Sequence, residues 1–211
     1  MLGLSAFKGK TIFCLSASHP IGQQLSVRLA HLGATVVALD SNNDVLMLLA
    51  SKNAARIEPL AMNWSLASNI EILRNAWGTE PIHGVFDFSW LVRKPTQYAL
   101  PAIQKTENLI GALSAGLTVG QGTVVLGMPS DQSDDDVGVR AINAGFHHIV
   151  PQIANALPKI RLLGCICPNH AHPNETELTQ ITDALMMLCH PIARSFASGQ
   201  IINLLGATKN S

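Results

Sequence analysis

Residues 7–40 read FKGKTIFCLSASHPIGQQLSVRLAHLGATVVALD. Two hydrophobic periods follow one another here. Residues 11–16, TIFCLS, form a short apolar run. Ile21, Leu25, Leu29 and Leu32 then recur at helical spacing, and Gly33 stands where a helix closes in a left-handed turn. Residues 34–40, ATVVALD, are a second apolar run. Strand, helix, strand is a βαβ unit, and its right-handed crossover makes the two strands parallel.

The same alternation continues to the end of the chain. Helices are expected at 43–53, 67–78, 95–117, 137–157 (interrupted at Pro151) and 175–190. Strands are expected at 56–63, 82–90, 122–128, 159–167 and 199–206. Strands that alternate with helices predict an α/β protein: a doubly wound parallel sheet of the Rossmann type, with helices on both faces. We expect one domain over residues 1–211. The 211 residues are 47% hydrophobic and 13% charged. So little charge suits strands that are apolar on both sides, because helices cover both.

Bulk properties narrow the function classes. Fourteen basic and fourteen acidic residues cancel, so the charge favours neither nucleic acid nor an anionic membrane. No apolar run reaches the ~20 residues that cross a bilayer, and a cytoplasmic protein is expected. Of the four cysteines, Cys14, Cys165 and Cys167 sit in strand-like runs and read as buried thiols. Cys189-His190 lacks a third, orienting group. His170 and His172 read as loop histidines, and no metal site is expected. Residues 130–138, SDQSDDDVG, read as a solvated loop.

In order and spacing, the segments resemble the short-chain dehydrogenase/reductase family over about residues 7–208. The opening stretch is similar to that family's cofactor-binding unit. GTVVLG (122–127) resembles the strand leading to its catalytic serine, and AINAGFHHIVPQIANAL (141–157) its active-site helix. KIRLLGCICPN (159–169) resembles the sixth strand, and SGQIINLLGA (198–207) the closing segment. The resemblance implies a seven-stranded sheet and, in most members, hydride transfer between NAD(P) and a carbonyl or alcohol.

The family's Thr-Gly-x-x-x-Gly-x-Gly loop falls on Leu15, Ser16, Pro20 and Gly22. Its first glycine makes a tight turn, its second lets pyrophosphate approach, and its third packs the helix on the strand. Here Pro20 removes an amide donor. Pro20 at the first helical position, with Ser18 as N-cap, favours helix initiation instead. Asp40 either binds the adenosine ribose or caps the turn that follows it. Asn63 stands at the family's adenine-contacting acid. The Asn-Asn-Ala-Gly motif falls on Asp87-Phe88-Ser89-Trp90, where Phe88 and Trp90 are bulky enough to fill the ribose space.

The family's catalytic tyrosine aligns with Val139, its lysine with Asn143, and its serine with Met128 or Pro129, Ser130 falling late. The chain's one tyrosine, Tyr98, lies far from that helix. Valine exchanges no proton and asparagine supplies no cation. The substrate lid is also short, since PNHAHPNETEL (168–178) runs almost directly into the next helix. We therefore expect no catalytic residues and a weak, residual cofactor set of Ser16, Ser18, Ile21, Gly22, Asp40 and Asn63. Cofactor binding is expected to be absent, with NAD as the alternative. The expected role is a structural or regulatory subunit: a homodimer, a homotetramer, or the partner of an active relative. The alternatives are an NAD(P)-binding sensor and an oxidoreductase with an atypical base such as His147 or His148.

Overall fold

The computed structural model describes residues 6–64, 66–91, 99–130, 137–167, 174–190, 193 and 195–204, with backbone alone for 99–103 and 137–143. Strands and helices alternate throughout. They are β1 (Thr11–Leu15), α1 (Pro20–His31), β2 (Thr35–Asp40), α2 (Asn43–Ser51), β3 (Ile57–Ala61), α3 (Ala67–Trp77) and β4 (Gly84–Asp87). There follow α4 (Ala99–Gly120), β5 (Thr123–Pro129), α5 (Val137–Ala156), β6 (Arg161–Cys167), α6 (Glu175–Cys189) and β7 (Ile201–Asn203). The seven strands form one sheet in the order β3-β2-β1-β4-β5-β6-β7, and every pair is parallel.

The doubly wound architecture follows from alternation along each strand. In β1, Ile12 and Cys14 enter one core with Leu25 and Leu29 of α1 and Leu185 of α6. Phe13 and Leu15 enter the other, with Leu113 of α4 and Val150 of α5. In β2, Val36 and Ala38 face the first core and Val37 and Leu39 the second. Neither face meets water, so the strand needs no polar residues. The edge strand β3 differs: it carries an exposed Glu58 and Pro59. A proline is tolerated there because one side of the strand has no ladder to complete.

Local chemistry ends the elements where the sequence suggests. At the end of α1, Gly33 adopts φ 92°. Its amide bonds to the Ala30 carbonyl and that of Ala34 to the Leu29 carbonyl, both at 3.0 Å. This paired closure satisfies carbonyls at the helix end and requires a left-handed residue. Helix α6 opens with a reciprocal cap between Asn174 and Glu177. Arg28 on α1 pairs with Asp183 and Thr182 of α6 and so ties the two helices on that face.

Three expectations need correction. Pro151 does not interrupt α5, which continues through it. The proline frees the helical carbonyl of His147, which belongs to an exposed residue, so no buried acceptor is left without a donor. Strand β4 ends at Asp87 rather than 90, because residues 88–91 turn, the Leu91 amide bonding to the Phe88 carbonyl at 2.9 Å. The closing strand spans only Ile201–Asn203. Residues 95–98, 131–136, 168–173 and 205–211, which include Tyr98, His170, His172 and most of the expected acidic loop, lie outside the described residues.

Replacing Gly33 by alanine should cost about 1–2 kcal/mol, the left-handed penalty for an L-residue, read as a lower urea midpoint at unchanged m-value. An unchanged midpoint would show that the closure is not needed.

Candidate functional site

The sheet order reverses direction between β1 and β4, and crevices outside the carboxyl ends of strands at such a switch point are where α/β folds bind ligands. The β1–α1 loop and the β4–α4 turn flank it. Ser16 turns the chain with φ 53°, a left-handed conformation on a non-glycine residue, and its carbonyl accepts the His19 amide at 2.9 Å. Gly22 packs against this turn. A Cβ on it would lie 3.0 Å from the Ser16 carbonyl oxygen and 3.1 Å from Ala17 Cα. The tight turn and the close helix packing are therefore both present, the first at the expense of strain in serine.

The amides of this loop are used within the chain. Ala17 donates to the Leu39 carbonyl at 3.3 Å and His19 to that of Ser16. The Ser18 amide donates to Asp40 Oδ2 at 3.0 Å. The Ile21 amide donates to His19 Nδ1 at 3.3 Å, and Pro20 has no amide hydrogen. The N-cap of α1 is thus His19, not Ser18 as expected. Ser18 is held instead by its own backbone, the amide on Asp40 and the carbonyl on Gln23 Nε2 at 2.8 Å.

Asp40 is 6% exposed. Its second oxygen, Oδ1, accepts the Asn42 amide at 3.0 Å. Both carboxylate oxygens therefore receive backbone donors. The turn-capping reading of Asp40 is present in the structure, together with a loop-bracing contact that the sequence did not suggest. Asn63 is exposed beyond β3, its carbonyl accepting from Asn69 Nδ2 at 2.9 Å.

The far wall of the crevice is aromatic. Phe88 is fully buried and stacks on Phe86, ring centroids 6.3 Å apart. The His19 ring lies 6.4 Å from Phe88 at an interplanar angle of 27°, so the β1–α1 loop and the β4–α4 turn touch across the switch point. A backbone bond from the Phe88 amide to the Leu15 carbonyl (3.2 Å) reinforces this bridge. Trp90 is 7% exposed and meets Phe146 of α5 edge-on, and its Nε1 donates to Thr106 Oγ1 at 3.3 Å. Thr106 donates in turn to Asp87 Oδ2 at 3.5 Å, while Asp87 Oδ1 accepts the Ser89 amide at 2.8 Å. Both bulky residues are buried, and Thr106 ties Trp90 to Asp87 through a network that spacing along the chain did not show.

The positions expected to have lost catalytic groups lie on β5 and α5. Met128 is buried, Pro129 ends β5, and Ser130 is buried with its amide on the Cys167 carbonyl at 3.0 Å. Val139 and Asn143 fall in the first turns of α5, where only the backbone is described. His147 and His148 are both exposed on that helix. Cys14, Cys165 and Cys167 are core groups and Cys189 is half-buried; burial pushes the Cys14 and Cys189 thiols up to about 12. A hydrogen bond with the free thiol of Cys167, together with burial, raises the Cys165 thiol. No cluster of metal-ligating side chains occurs among the described residues.

Comparison of the folded chain with solved structures places it firmly. A short-chain dehydrogenase from Escherichia coli superposes with a TM-score of 0.80 at 16% identity, over 97% of this chain and 100% of that one. A short-chain dehydrogenase from Escherichia coli in complex with NADPH gives 0.78 at 15%, over 96% and 99%. One from Shigella flexneri in complex with NADP gives 0.78 at 14%, again over 96% and 99%. The chain has the short-chain dehydrogenase fold. No protein-family model and no curated protein matches the sequence itself. Among the described residues no helix is long and apolar enough to cross a membrane.

Two of these neighbours hold a dinucleotide, NADPH or NADP. Of the donors a pyrophosphate would use, Ser18 and Ile21 are already bonded within the chain and Pro20 has none.

Two predictions follow from the loop. Ser16→Gly should raise stability by about 0.5–1 kcal/mol, the strain relieved less the added chain entropy, measured by chemical denaturation. The second concerns acid. Burial holds His19 below its ordinary value of 6.5. Burial and the nearby Lys10 do the same to His83, whose Nδ1 accepts the Thr11 amide at 3.1 Å. The unfolded chain protonates near 6.5 while the folded imidazoles still resist, so stability should fall as pH drops below 6.5 and level off under the folded values. His19→Asn keeps a capping acceptor and should shallow that fall. An identical pH profile for the variant would remove His19 from the account.

Proposed function

We propose that the chain is a non-catalytic protein on the short-chain dehydrogenase fold, acting as a structural or regulatory subunit. It works as a homodimer or homotetramer, or beside an active protein of the same fold. The observation that carries this reading is the self-bonded β1–α1 loop, with His19 capping α1 and stacking on Phe88. A helix N-terminus binds phosphate through amides that lack partners. Here the Ser18, His19, Ile21 and Gln23 amides have partners within the chain, and a dinucleotide would have to break the His19 cap and the Asp40 brace to reach those of Ser18 and Ile21. The residues at the family's acid/base positions, Val139 and Asn143, supply neither a proton nor a charge. The outer side of α4 supports association, with Gly111, Ala115 and Val119 exposed at a four-residue spacing, Val119 to 62%.

A second reading, a nicotinamide-dinucleotide sensor, rests on Asp40. Its carboxylate is at the end of β2, where it would meet an adenosine ribose once the loop opened. The structural neighbours solved with NADPH and NADP favour keeping this reading, and they lend no support to the expectation of no cofactor.

Three measurements separate the readings. Light scattering should give a mass that is a multiple of the chain's 22.5 kDa. Reduced nicotinamide absorbance should not change across a panel of aldehydes and ketones. Calorimetric titration with NADPH should give no saturable heat. Saturable heat without turnover would replace the first reading by the sensor. Turnover would defeat both.

A further inference from the structure

The opposite end of the sheet holds a cavity of about 350 Å³. It lies where the strands begin: Lys10 precedes β1, His83 precedes β4, and Lys159 and Arg161 flank the start of β6. Phe7 and Ile12 give it an apolar floor, and the ends of α4 and α6 close its side. No Asp or Glu is among the residues that line it. In a chain of zero net charge, two lysines, an arginine and two histidines around one cavity are a local excess of cation.

Part of that charge has a structural use. Helices α4 and α6 both end here, and helix carboxyl ends carry partial negative charge. Arg161 answers it: its guanidinium donates to the carbonyls of Leu188 and Ala193, and its Nε to Thr123 Oγ1 at 2.9 Å. Lys10 and Lys159 make no such contacts, and among the described residues neither is ion-paired. His83 uses Nδ1 to accept the Thr11 amide, so the neutral ring carries its proton on Nε2, as a donor. Gln121 also lines the cavity, in a left-handed conformation (φ 49°) that glycine would adopt without strain.

We propose that this cavity binds a small phosphate monoester, its phosphate taken by Lys10, Lys159 and His83. The donor set selects phosphate over carboxylate. A planar carboxylate is best met by the fork of an arginine, and the one arginine lining the cavity has its fork on backbone carbonyls. Lysine and imidazole are point donors, which suit a tetrahedral oxyanion. The volume lies at the small end of the ~300–1,000 Å³ usual for ligand pockets. The site is at the far end of the sheet from the switch-point crevice and is independent of what that crevice binds.

The test is a thermal-shift titration with inorganic phosphate at constant ionic strength, with sodium chloride and sodium citrate as comparisons. Phosphate should raise the melting temperature saturably, chloride should not, and citrate should do so less than phosphate. Lys159→Gln, at an exposed position that folding tolerates, and Lys10→Gln should each raise the half-saturating concentration about tenfold. An equal response to chloride, a stronger response to citrate, or unchanged half-saturation in both variants would overturn the assignment.

Discussion

The structure depends on the burial of β1 on both faces. Ile12 and Cys14 must reach one layer of helices while Phe13 and Leu15 reach the other. A strand of that kind cannot sit at the surface, so β2 flanks it on one side and β4 on the other. With right-handed crossovers, the helices after β1 and β4 fall on opposite faces, and the sheet order turns between the two strands. The crevice is thus a consequence of apolar alternation, whatever the loops beside it do. What a given chain does with the crevice is decided by a few side chains.

Here those side chains face one another. Asp40 takes two backbone amides, His19 caps the helix it precedes, and its ring lies on Phe88. Each contact is modest, about 1 kcal/mol for a hydrogen bond and rather more for one to a charge. Together they tie the β1–α1 loop to β2 on one side and to the β4–α4 turn on the other. The same residues explain why the loop tolerates Ser16 in a left-handed turn: its neighbours are fixed on both sides, so the strain is imposed by the fold around it. Subunit function is the proposal that makes use of such a scaffold, in which the β1–α1 loop is bonded within the chain and the outer helix faces remain.

Much of the fold was legible because two-sided burial leaves a plain mark: runs such as ATVVALD hold no charged residue until their end. The order of the elements, the closure at Gly33 and the cap position of Pro20 were all readable. The N-cap was not. Serine is the common capping residue and histidine an uncommon one, and only the shape of the turn makes His19 the acceptor. Pro151 misled for a related reason, since a proline in mid-helix is tolerated where the carbonyl it frees belongs to an exposed residue. Asp40 was readable as a strand-end carboxylate, but its bond to Ser18 joins residues 22 positions apart. The basic cavity left a faint signal, a cationic or imidazole residue just before β1, β4 and β6. It went unseen because each lies far from the others in sequence.

The central claim is that the β1–α1 loop is closed on itself in the free protein. Hydrogen exchange of the Ser18 and Ile21 amides, followed by NMR with and without NADPH, tests it most directly. The account predicts that both are protected well beyond a solvent-exposed loop, and that saturating NADPH leaves their exchange rates and shifts unchanged. Fast exchange in the free protein, with protection appearing only when the dinucleotide is added, would contradict it.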